Sequence, residues 1–454
     1  MERHELKERF LAKTRQSQIA FEKAQGLIPG GVQGNIKFFS PYPLSFSRAN
    51  GAWMTDADGN QYVDYLLSFG ALMLGHGHPV VLGAVNEVWE QYGTTSFGVP
   101  YALETTMAES IQSLYPSIES VRFTNSGLEA TLLSIRFGLA YTGKTHIAKF
   151  DGHYHGGHEH VLVNTAVTDP GEPDRAQLTP HAESLGLPDY FVDHTVVLPF
   201  NNLPLCEQIL REQQDNVGVV ILEPVQAGYI PADKEFMRGI RSLTAELGMV
   251  LVFDEVKTGF RVALGGAQAY YDVKPDLTAL GKVLGGGFPI GAVGGKKEIL
   301  QLSSPRRSSK SNEVVFHSGT FNGNPISLTA GLRTIQFLKE PGRFEEIVEA
   351  TNQLKAGIRS IAESYNIGVE TIGVGTIFNI LISKDPALRD GSVHKPSREL
   401  REALDFALMY HGVFSKPLNR FSVSAVHGGA EIQHTLDAFD KSFSEIRHLA
   451  ETTD

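Results

Sequence analysis

An aspartate and a lysine in the middle of the chain have the sequence surroundings of buried, reactive groups. Asp254 follows the apolar residues 249–253, so its carboxylate is predicted near the low-dielectric end of a strand. A carboxylate kept charged there needs a cationic partner, and a protonated ring nitrogen or a structural arginine would serve equally well. Lys282 has apolar pairs on both sides and three glycines after it. Most lysines are solvated, but buried lysines are the ones whose pKa falls enough to form Schiff bases.

The third candidate group is the start of a helix at Ser126-Gly127. Helical periodicity covers residues 128–141, so these two residues stand at its N-terminus. Unpaired backbone N–H groups, a hydroxyl and the positive end of the helix dipole suit a phosphate. A plain serine N-cap uses the same residues and is the commoner explanation of this feature taken alone.

These residues belong to a pattern of helices and short apolar strands that alternates from about residue 79 to 295. Helices are predicted at residues 81–92, 104–114, 128–141 and 235–247, and strands at 121–123, 147–150, 195–197, 217–222 and 249–253. The alternation, with strands apolar on both faces, predicts a doubly wound α/β domain. Ligands of such sheets bind beyond the carboxyl ends of the strands, which is where these polar residues accumulate.

The rest of the chain predicts a smaller α+β unit built from both chain ends. Residues 1–75 hold a helix at about 16–25 and a hairpin around Asp58-Gly59, residues 76–325 form the large domain, and residues 326–454 end in a helix at 432–449. Residues 165–193 carry four prolines and little periodicity. A segment of that length is either an active-site lid or a disordered surface excursion.

Two other patterns suggest sites that the sequence argues against. Residues 138–145 match the phosphate-loop pattern GxxxxGK[ST], but that motif needs strand, loop, helix, and here a helix precedes it and a strand follows. The histidines His153, His155, His158 and His160 suggest a metal. They lie in a glycine-rich turn without an HExxH motif, and the lone cysteine is far away, so we expect no metal.

Composition narrows the class of protein further. The 454 residues carry 40 Lys+Arg against 51 Asp+Glu, a formal net charge of −11, which disfavours nucleic acid and anionic membranes as partners. No run approaches a membrane span, and the charged N-terminus lacks the apolar core of a signal peptide. The single cysteine, Cys206, excludes an intrachain disulfide framework and suits a reducing compartment, so a cytoplasmic location is expected.

A helix start suited to phosphate, a carboxylate on a later strand and a lysine beyond it are the parts of a pyridoxal phosphate (PLP) site. The sequence resembles the class III aminotransferases of PLP fold type I, and within them the glutamate-1-semialdehyde 2,1-aminomutase-like group. The motifs that carry the resemblance are Leu27-Ile-Pro-Gly-Gly-Val32, Leu74-Gly-His-Gly-His-Pro79, Asn125-Ser-Gly-Leu-Glu-Ala130, Gly152-His-Tyr-His-Gly156, Asp254-Glu-Val-Lys-Thr-Gly-Phe-Arg261, Gly319-Thr-Phe-Asn-Gly-Asn-Pro325 and Ser424-Ala-Val-His427.

The resemblance implies a role for each matching residue. Lys282 would form the Schiff base with PLP, and Asp254 would hold the pyridine nitrogen protonated. The other implied cofactor contacts are Ser126 and Gly127 at the phosphate, Leu128 beside them, Tyr154 and Val256 on the two ring faces, Glu223, Gln226 near the ring hydroxyl, and Thr320 from the neighbouring subunit of a homodimer with shared active sites.

Departures from the aminomutase pattern bear on the reaction. Lys37 stands where the family has a carboxylate-binding arginine, Asn419 stands in place of a glutamate, and Arg420 beside it is a candidate carboxylate clamp or a solvated arginine. Leu128 replaces the usual threonine. We therefore expect a ping-pong transfer between an amino acid or amine donor and a 2-oxo acid or other carbonyl acceptor. The intramolecular aminomutase is the alternative, and a PLP-binding protein without turnover is the remote one.

Overall fold

The computed structural model describes residues 3–165, 178–383 and 396–451. Its helices are α1 (Arg3–Lys13), α2 (Arg15–Gln25), α3 (Leu67–Gly70), α4 (Pro79–Gln91), α5 (Ala102–Leu114), α6 (Gly127–Thr142), α7 (Asp189–Asp193), α8 (Leu203–Glu212), α9 (Lys234–Glu246), α10 (Gly266–Tyr271), α11 (Lys297–Leu300), α12 (Pro325–Lys339), α13 (Arg343–Ser364), α14 (Arg398–Tyr410) and α15 (Gly429–Glu451). No helix within these ranges is both long and apolar enough to cross a membrane.

The strands of the same residues form four sheets. They are β1 (Phe46–Asn50), β2 (Trp53–Asp56), β3 (Gln61–Asp64), β4 (Ser120–Thr124), β5 (His146–Phe150), β6 (Thr195–Leu198), β7 (Val217–Leu222), β8 (Val225–Gln226), β9 (Ile230–Pro231), β10 (Val250–Asp254), β11 (Leu277–Gly281), β12 (Gly291–Gly295), β13 (Gly368–Ile372), β14 (Ile377–Ser383), β15 (Val413–Phe414) and β16 (Phe421–Ser422). The chain divides into two compact units, Pro79–Pro341 and the combined ends Met1–His78 with Gly342–Asp454.

The Pro79–Pro341 unit is built on a seven-stranded sheet in the order β4-β12-β11-β10-β7-β5-β6. Only β12 runs antiparallel to its neighbours. Successive side chains of β7 pack on opposite faces, Val220 and Leu222 with residues of α8 and α9, Val219 and Ile221 with residues of α6. Apolar side chains are needed on both faces because helices cover both, and this confirms the predicted doubly wound α/β domain.

Parallel register brings the carboxyl ends of six strands to one edge of the sheet, among them β6, which ends at Leu198. There β4 ends at Thr124, β5 at Phe150, β7 at Leu222, β10 at Asp254 and β11 at Gly281. Residues 138–145, which match the phosphate-loop pattern, extend from the end of α6 to the start of β5, in the helix-then-strand order that the sequence indicates. Gly138 lies inside α6 and Gly143 is its left-handed C-cap, so these glycines serve helix packing and helix termination.

The unit formed by the chain ends contains two small sheets, β1-β2-β3-β15 and β13-β14-β16. The predicted hairpin is the antiparallel pair β2–β3, and β15 adds to β3 in parallel. Both chain ends therefore build one sheet. Here α3 is a single turn in which Leu67, Ser68 and Phe69 all have positive φ. Non-glycine residues adopt this left-handed backbone at a cost, so the surrounding structure must hold the turn in place.

Candidate active site

A cleft of about 180 Å³ lies at the carboxyl edge of the seven-stranded sheet. Its walls are Gly127, Leu128, Thr131, Tyr154, His155, Gly156, Asp254, Val256, Lys257 and Lys282. Six of the residues predicted from the sequence are therefore brought together, namely Gly127, Leu128, Tyr154, Asp254, Val256 and Lys282. They come from the carboxyl ends of four different strands or from the residues that follow them, which is how an open α/β sheet assembles a ligand site.

The N-terminus of α6 forms one wall of the cleft. Ser126 is its N-cap, and its hydroxyl accepts a hydrogen bond from the N–H of Glu129 at 3.2 Å. The carboxylate of Glu129 in turn accepts from the N–H of Asn125 at 2.6 Å, in the manner of a capping box. This reciprocal pairing fixes the helix start, and the remaining N–H groups of the first turn are available to an anion.

Gly127 is required at this helix start by the close approach of Val256. A Cβ atom added at Gly127 would lie 2.6 Å from Cγ1 of Val256, well inside van der Waals contact. The bare backbone of Gly127 therefore borders the cleft because no larger residue fits beneath Val256. Val256 itself is placed by its N–H, which donates to Oδ1 of Asp254 at 3.0 Å.

Asp254 lies at the end of β10 and is almost fully buried. Burial raises the pKa of its carboxyl from the usual 3.8 to about 6, and the Val256 N–H with the nearby ammonium groups of Lys257 and Lys282 offsets only part of that effect. The positive charge around the carboxylate is thus too small to offset the effect of its burial. A bound cation would be stabilised at this position.

His155 is the nearest polar neighbour of Asp254, with its Nδ1 2.8 Å from Oδ2 of the carboxylate. Burial lowers the pKa of His155 to about 3, so the ring is neutral and Nδ1–H is the donor. His155 orients the carboxylate without supplying the missing charge. The histidine spacing in the sequence suggests a metal ligand and not this role, although the place of His155 in the Gly152–Gly156 motif beside Tyr154 was the available signal.

Lys282 follows β11 directly and lines the same cleft. Its φ is 47°, so the residue that leaves the strand does so in the left-handed region. Gly281 before it packs against Gly127, where an added Cβ would lie 3.3 Å from the Gly127 Cα. The left-handed backbone of Lys282 and the close contact between Gly281 and Gly127 together place the Lys282 side chain in the cleft beside the α6 N-terminus.

Glu223 and Lys257 form an ion pair next to the cleft. Burial acts to raise the pKa of the Glu223 carboxyl, but Lys257 together with His153 and His155 outweighs it, and the pKa lies below its usual range. The other oxygen of Glu223 accepts from the N–H of Tyr154 at 3.1 Å. Lys257, which the sequence reasoning missed although it is three residues after Asp254, also lies 5.5 Å from the centre of the Tyr154 ring.

The remaining predicted residues lie outside the walls of this cleft. Gln226 is buried and donates its amide to the carbonyl of Asp151 at 3.1 Å. Thr320 is exposed. It stands two residues before Asn322, whose side-chain oxygen accepts from the amide of Asn125 at 2.7 Å.

The two predicted substrate residues belong to the unit formed by the chain ends. Lys37 closes the short helix Asn35–Lys37 and is exposed at a second cavity. Arg420 is half-buried, and its guanidinium donates to the carbonyl of Phe69 in the left-handed turn at 3.1 Å.

The candidate lid at residues 165–193 is described only in part. Residues 166–177 lie outside the described residues, and residues 178–193 include α7.

The neighbouring histidines each have a separate contact. Nδ1 of His153 accepts from the N–H of Glu223 at 3.0 Å, and Nε2 of His158 is 3.3 Å from the hydroxyl of Thr131.

Comparison with known proteins decides the family. The model of the family "Aminotransferase class-III" matches residues 39–441. The chain is a class III aminotransferase. An omega-transaminase from Sphaerobacter thermophilus is 34% identical, with a TM-score of 0.87 and coverage of 95% of this chain and 98% of that one. A structure described as a transaminase with PLP bound is 30% identical, with a TM-score of 0.86 and coverage of 97% and 99%.

The fold extends to proteins of lower identity. A glutamate-1-semialdehyde-aminomutase from Pseudomonas aeruginosa PAO1 is 22% identical, with a TM-score of 0.84 and coverage of 98% of this chain and 97% of that one. The predicted family, fold type I architecture and PLP cofactor are thereby confirmed, and the chain is a PLP-dependent transaminase.

The residues of the cleft fit this cofactor. A phosphate needs backbone N–H donors without a side chain in the way, and the Gly127 backbone at the α6 N-terminus offers them. A protonated ring nitrogen needs a buried anion, and Asp254 is one whose surroundings lack sufficient positive charge. A carbonyl that is to be bound covalently needs an amine, and Lys282 lines the same cleft.

Proposed function

We propose that this transaminase uses Lys282 and Asp254 as its catalytic pair in a ping-pong transfer of an amino group between two substrates. The observation that carries the proposal is that Asp254, Lys282 and the bare Gly127 backbone, which come from three distant parts of the sequence, line one cleft of the sheet edge. The donor is an amino acid or amine, and the acceptor is a 2-oxo acid or another carbonyl compound.

The cofactor would be held by residues from both sides of the cleft. Ser126 and Gly127 would bind the phosphate through the first turn of α6, with Leu128 beside them. Tyr154 and Val256 would contact the ring, and the Glu223–Lys257 pair fixes the backbone of Tyr154. Gln226, held on the Asp151 carbonyl, would approach the ring hydroxyl.

Bound PLP supplies an electron sink for the carbanion that forms when the substrate loses its α-proton. The chain's own contribution is to hold and move protons. Asp254, oriented by the neutral His155, would hold a proton on the ring nitrogen of the bound cofactor. The free amine of Lys282 would act as general base and acid, taking the proton from one substrate carbon and returning it at another position.

Lys37 and Arg420 are proposed to bind substrate. Lys37 supports a carboxylate contact because its ammonium is exposed at a cavity. The guanidinium of Arg420 donates to the Phe69 carbonyl. This hydrogen bond would have to break before Arg420 could bind a substrate carboxylate.

We also propose that the protein works in the cytoplasm as a homodimer with shared active sites. Thr320 is exposed and does not line the cleft of its own chain, which suits a role at the phosphate of the other subunit. Large apolar side chains on the same unit are exposed, as an interface would require: Leu82, Trp89, Phe97, Val99, Phe316 and Phe321. Sedimentation of the PLP-bound protein, with wild type and Phe321→Glu compared, tests this assembly.

The test of the reaction is a half-reaction followed by a full one. The purified protein is incubated with glutamate or alanine alone, and the released oxo acid is measured against subunit concentration. We expect about one equivalent, and sustained turnover when a second 2-oxo acid is added. Isomerisation of glutamate-1-semialdehyde without a co-substrate would instead support the aminomutase, and neither reaction would support a binding protein.

A further inference from the structure

A cavity with a volume of about 480 Å³ lies in the unit formed by the chain ends. Most of its walls are apolar, and they are contributed by α2, the residues after it, β1 to β3 and the strand β15. The principal apolar side chains are Phe21, Phe39, Leu44, Phe46, Leu66 and Phe414. A volume of this size suits a small organic ligand, and such walls favour one with an aliphatic or aromatic body.

Two lysines, Lys37 and Lys416, line this cavity. Within the described part of the chain, no hydrogen bond or ion pair joins either ammonium group to another residue. Burial lowers the pKa of the Lys416 ammonium, and the charge of Asp405 offsets this only in part. An ammonium beside apolar walls is costly without a counter-charge, so the cavity favours an anion.

The carboxylate in the cavity wall, that of Asp64, does not neutralise the lysines. Its Oδ1 accepts from the N–H groups of Leu66 at 2.8 Å and Leu67 at 3.1 Å, and its Oδ2 lies 2.8 Å from Nε2 of His76. Both oxygens are therefore committed to holding the left-handed turn and the histidine. The positive charge of the two lysines is left for a ligand.

The backbone that carries Lys416 is held by a buried network. The carbonyl of Lys416 accepts from the N–H of Asn419 at 3.0 Å, and the N–H of Leu418 donates to Asp405 at 2.7 Å. Arg401 pairs with the same aspartate at 3.0 Å. A charged side chain on a rigid, supported turn loses less freedom on binding a ligand than one on a mobile loop.

We propose that this cavity binds an organic carboxylate with an apolar body, and that Lys416 is the cation that selects it, with Lys37 as the second. This deepens the substrate role proposed for Lys37 and rests on the proposed function only in identifying the ligand as a substrate. The binding itself involves only residues of the unit formed by the chain ends.

The test compares two probes of nearly the same shape, 4-phenylbutyrate and 4-phenylbutan-1-ol, by calorimetry on the PLP-bound enzyme. Neither probe carries an amine or a ketone, so neither can react. We expect wild type to bind the acid at least about tenfold more tightly than the alcohol, because a charge-assisted contact is lost in the alcohol. Lys416→Met should remove this preference, and Lys441→Met, which changes an exposed lysine of α15 outside the cavity, should keep it.

Thermal melting and the visible cofactor band establish that each variant is folded and carries its cofactor. Equal affinity of wild type for acid and alcohol, no measurable binding of either, or an unchanged preference in Lys416→Met overturns the proposal. Competition of 4-phenylbutyrate with the amino donor identifies the ligand as a substrate, whereas inhibition that the donor does not relieve identifies a separate effector. If the wild-type protein shows no transamination, the proposed function is refuted, while the binding measurement still tests the proposed cavity.

Discussion

Replacing Asp254 by asparagine tests the electrostatics on which the proposed site depends. The amide has the shape of the carboxylate but carries no charge. Its oxygen can accept from the Val256 N–H, and its NH2 group can donate to Nδ1 of His155 when the neutral ring carries its proton on Nε2. In the wild-type protein without cofactor, burial raises the pKa of this carboxyl from 3.8 to about 6. The folded protein therefore holds the Asp254 proton more tightly than the unfolded chain does.

The sign of the pH effect follows from that difference. The contribution of Asp254 to stability is fully present below about pH 4 and is lost as the pH rises through about 6, because ionisation is then penalised only in the folded state. A shift of this size corresponds to about 3 kcal/mol, of which roughly half develops between pH 5 and 7.5. Asp254→Asn lacks this term, while every other titrating residue is common to both proteins.

The measurement is urea denaturation of the cofactor-free wild type and Asp254→Asn at a fixed protein concentration across that pH range. We expect the variant to gain about 1.5 kcal/mol relative to wild type between pH 5 and 7.5. In the PLP-bound proteins the difference should disappear, since a protonated ring nitrogen would supply the missing charge. Parallel curves without cofactor would refute the burial argument, and a pH effect that survives PLP binding would refute the pairing of Asp254 with the ring.

Three further substitutions test other parts of the cleft. Lys282→Ala should abolish both the near-visible absorption of lysine-bound PLP and the release of oxo acid, and a retained band would place the covalent bond elsewhere. Gly127→Ala should weaken PLP binding, measured by fluorescence titration, about tenfold or more because the added methyl group clashes with Val256. The double variant Gly127→Ala/Val256→Ala should restore the binding. A double variant that binds PLP no better than Gly127→Ala would contradict the steric reasoning. Lys257→Met should lower the free energy of unfolding, measured by urea denaturation, by about 3 kcal/mol because Glu223 is left charged and buried. Adding Glu223→Gln should recover most of that loss. If the two losses instead add, the two residues are not coupled.

Much of the large unit could be predicted from local sequence because its burial is periodic. Each strand and helix predicted there is present, with its ends within two residues of the prediction. Asp254 and Lys282 could be singled out for the same reason, since both stand against apolar runs that must be buried. The strands β11 and β12 were not predicted. β12 is rich in glycine, which carries little periodic signal, and its antiparallel direction depends on its neighbours β4 and β11.

The contacts inside the cleft could not be read from the sequence because they join residues that are far apart along the chain. His155 and Asp254 are separated by 99 positions, and the requirement for glycine at position 127 comes from a valine beyond position 250. Sequence spacing identifies a histidine, a glycine and a valine without showing which of them meet. The second cavity was missed for the same reason, since Lys37 and Lys416 come from opposite ends of the chain.

The charge arrangement around Asp254 explains how an acidic protein can favour a doubly charged phosphate ester. The net charge of −11 acts over the whole surface, but the cleft presents the positive end of α6 at one wall and two lysines near a buried carboxylate at the other. Burial makes that carboxylate hard to ionise and keeps His155 neutral, so neither residue satisfies the other's need for an opposite charge. A ligand with an anionic group at one end and a basic ring nitrogen at the other meets both requirements together. Binding such a ligand is therefore coupled to keeping its ring protonated, which is the protonation state that transamination needs.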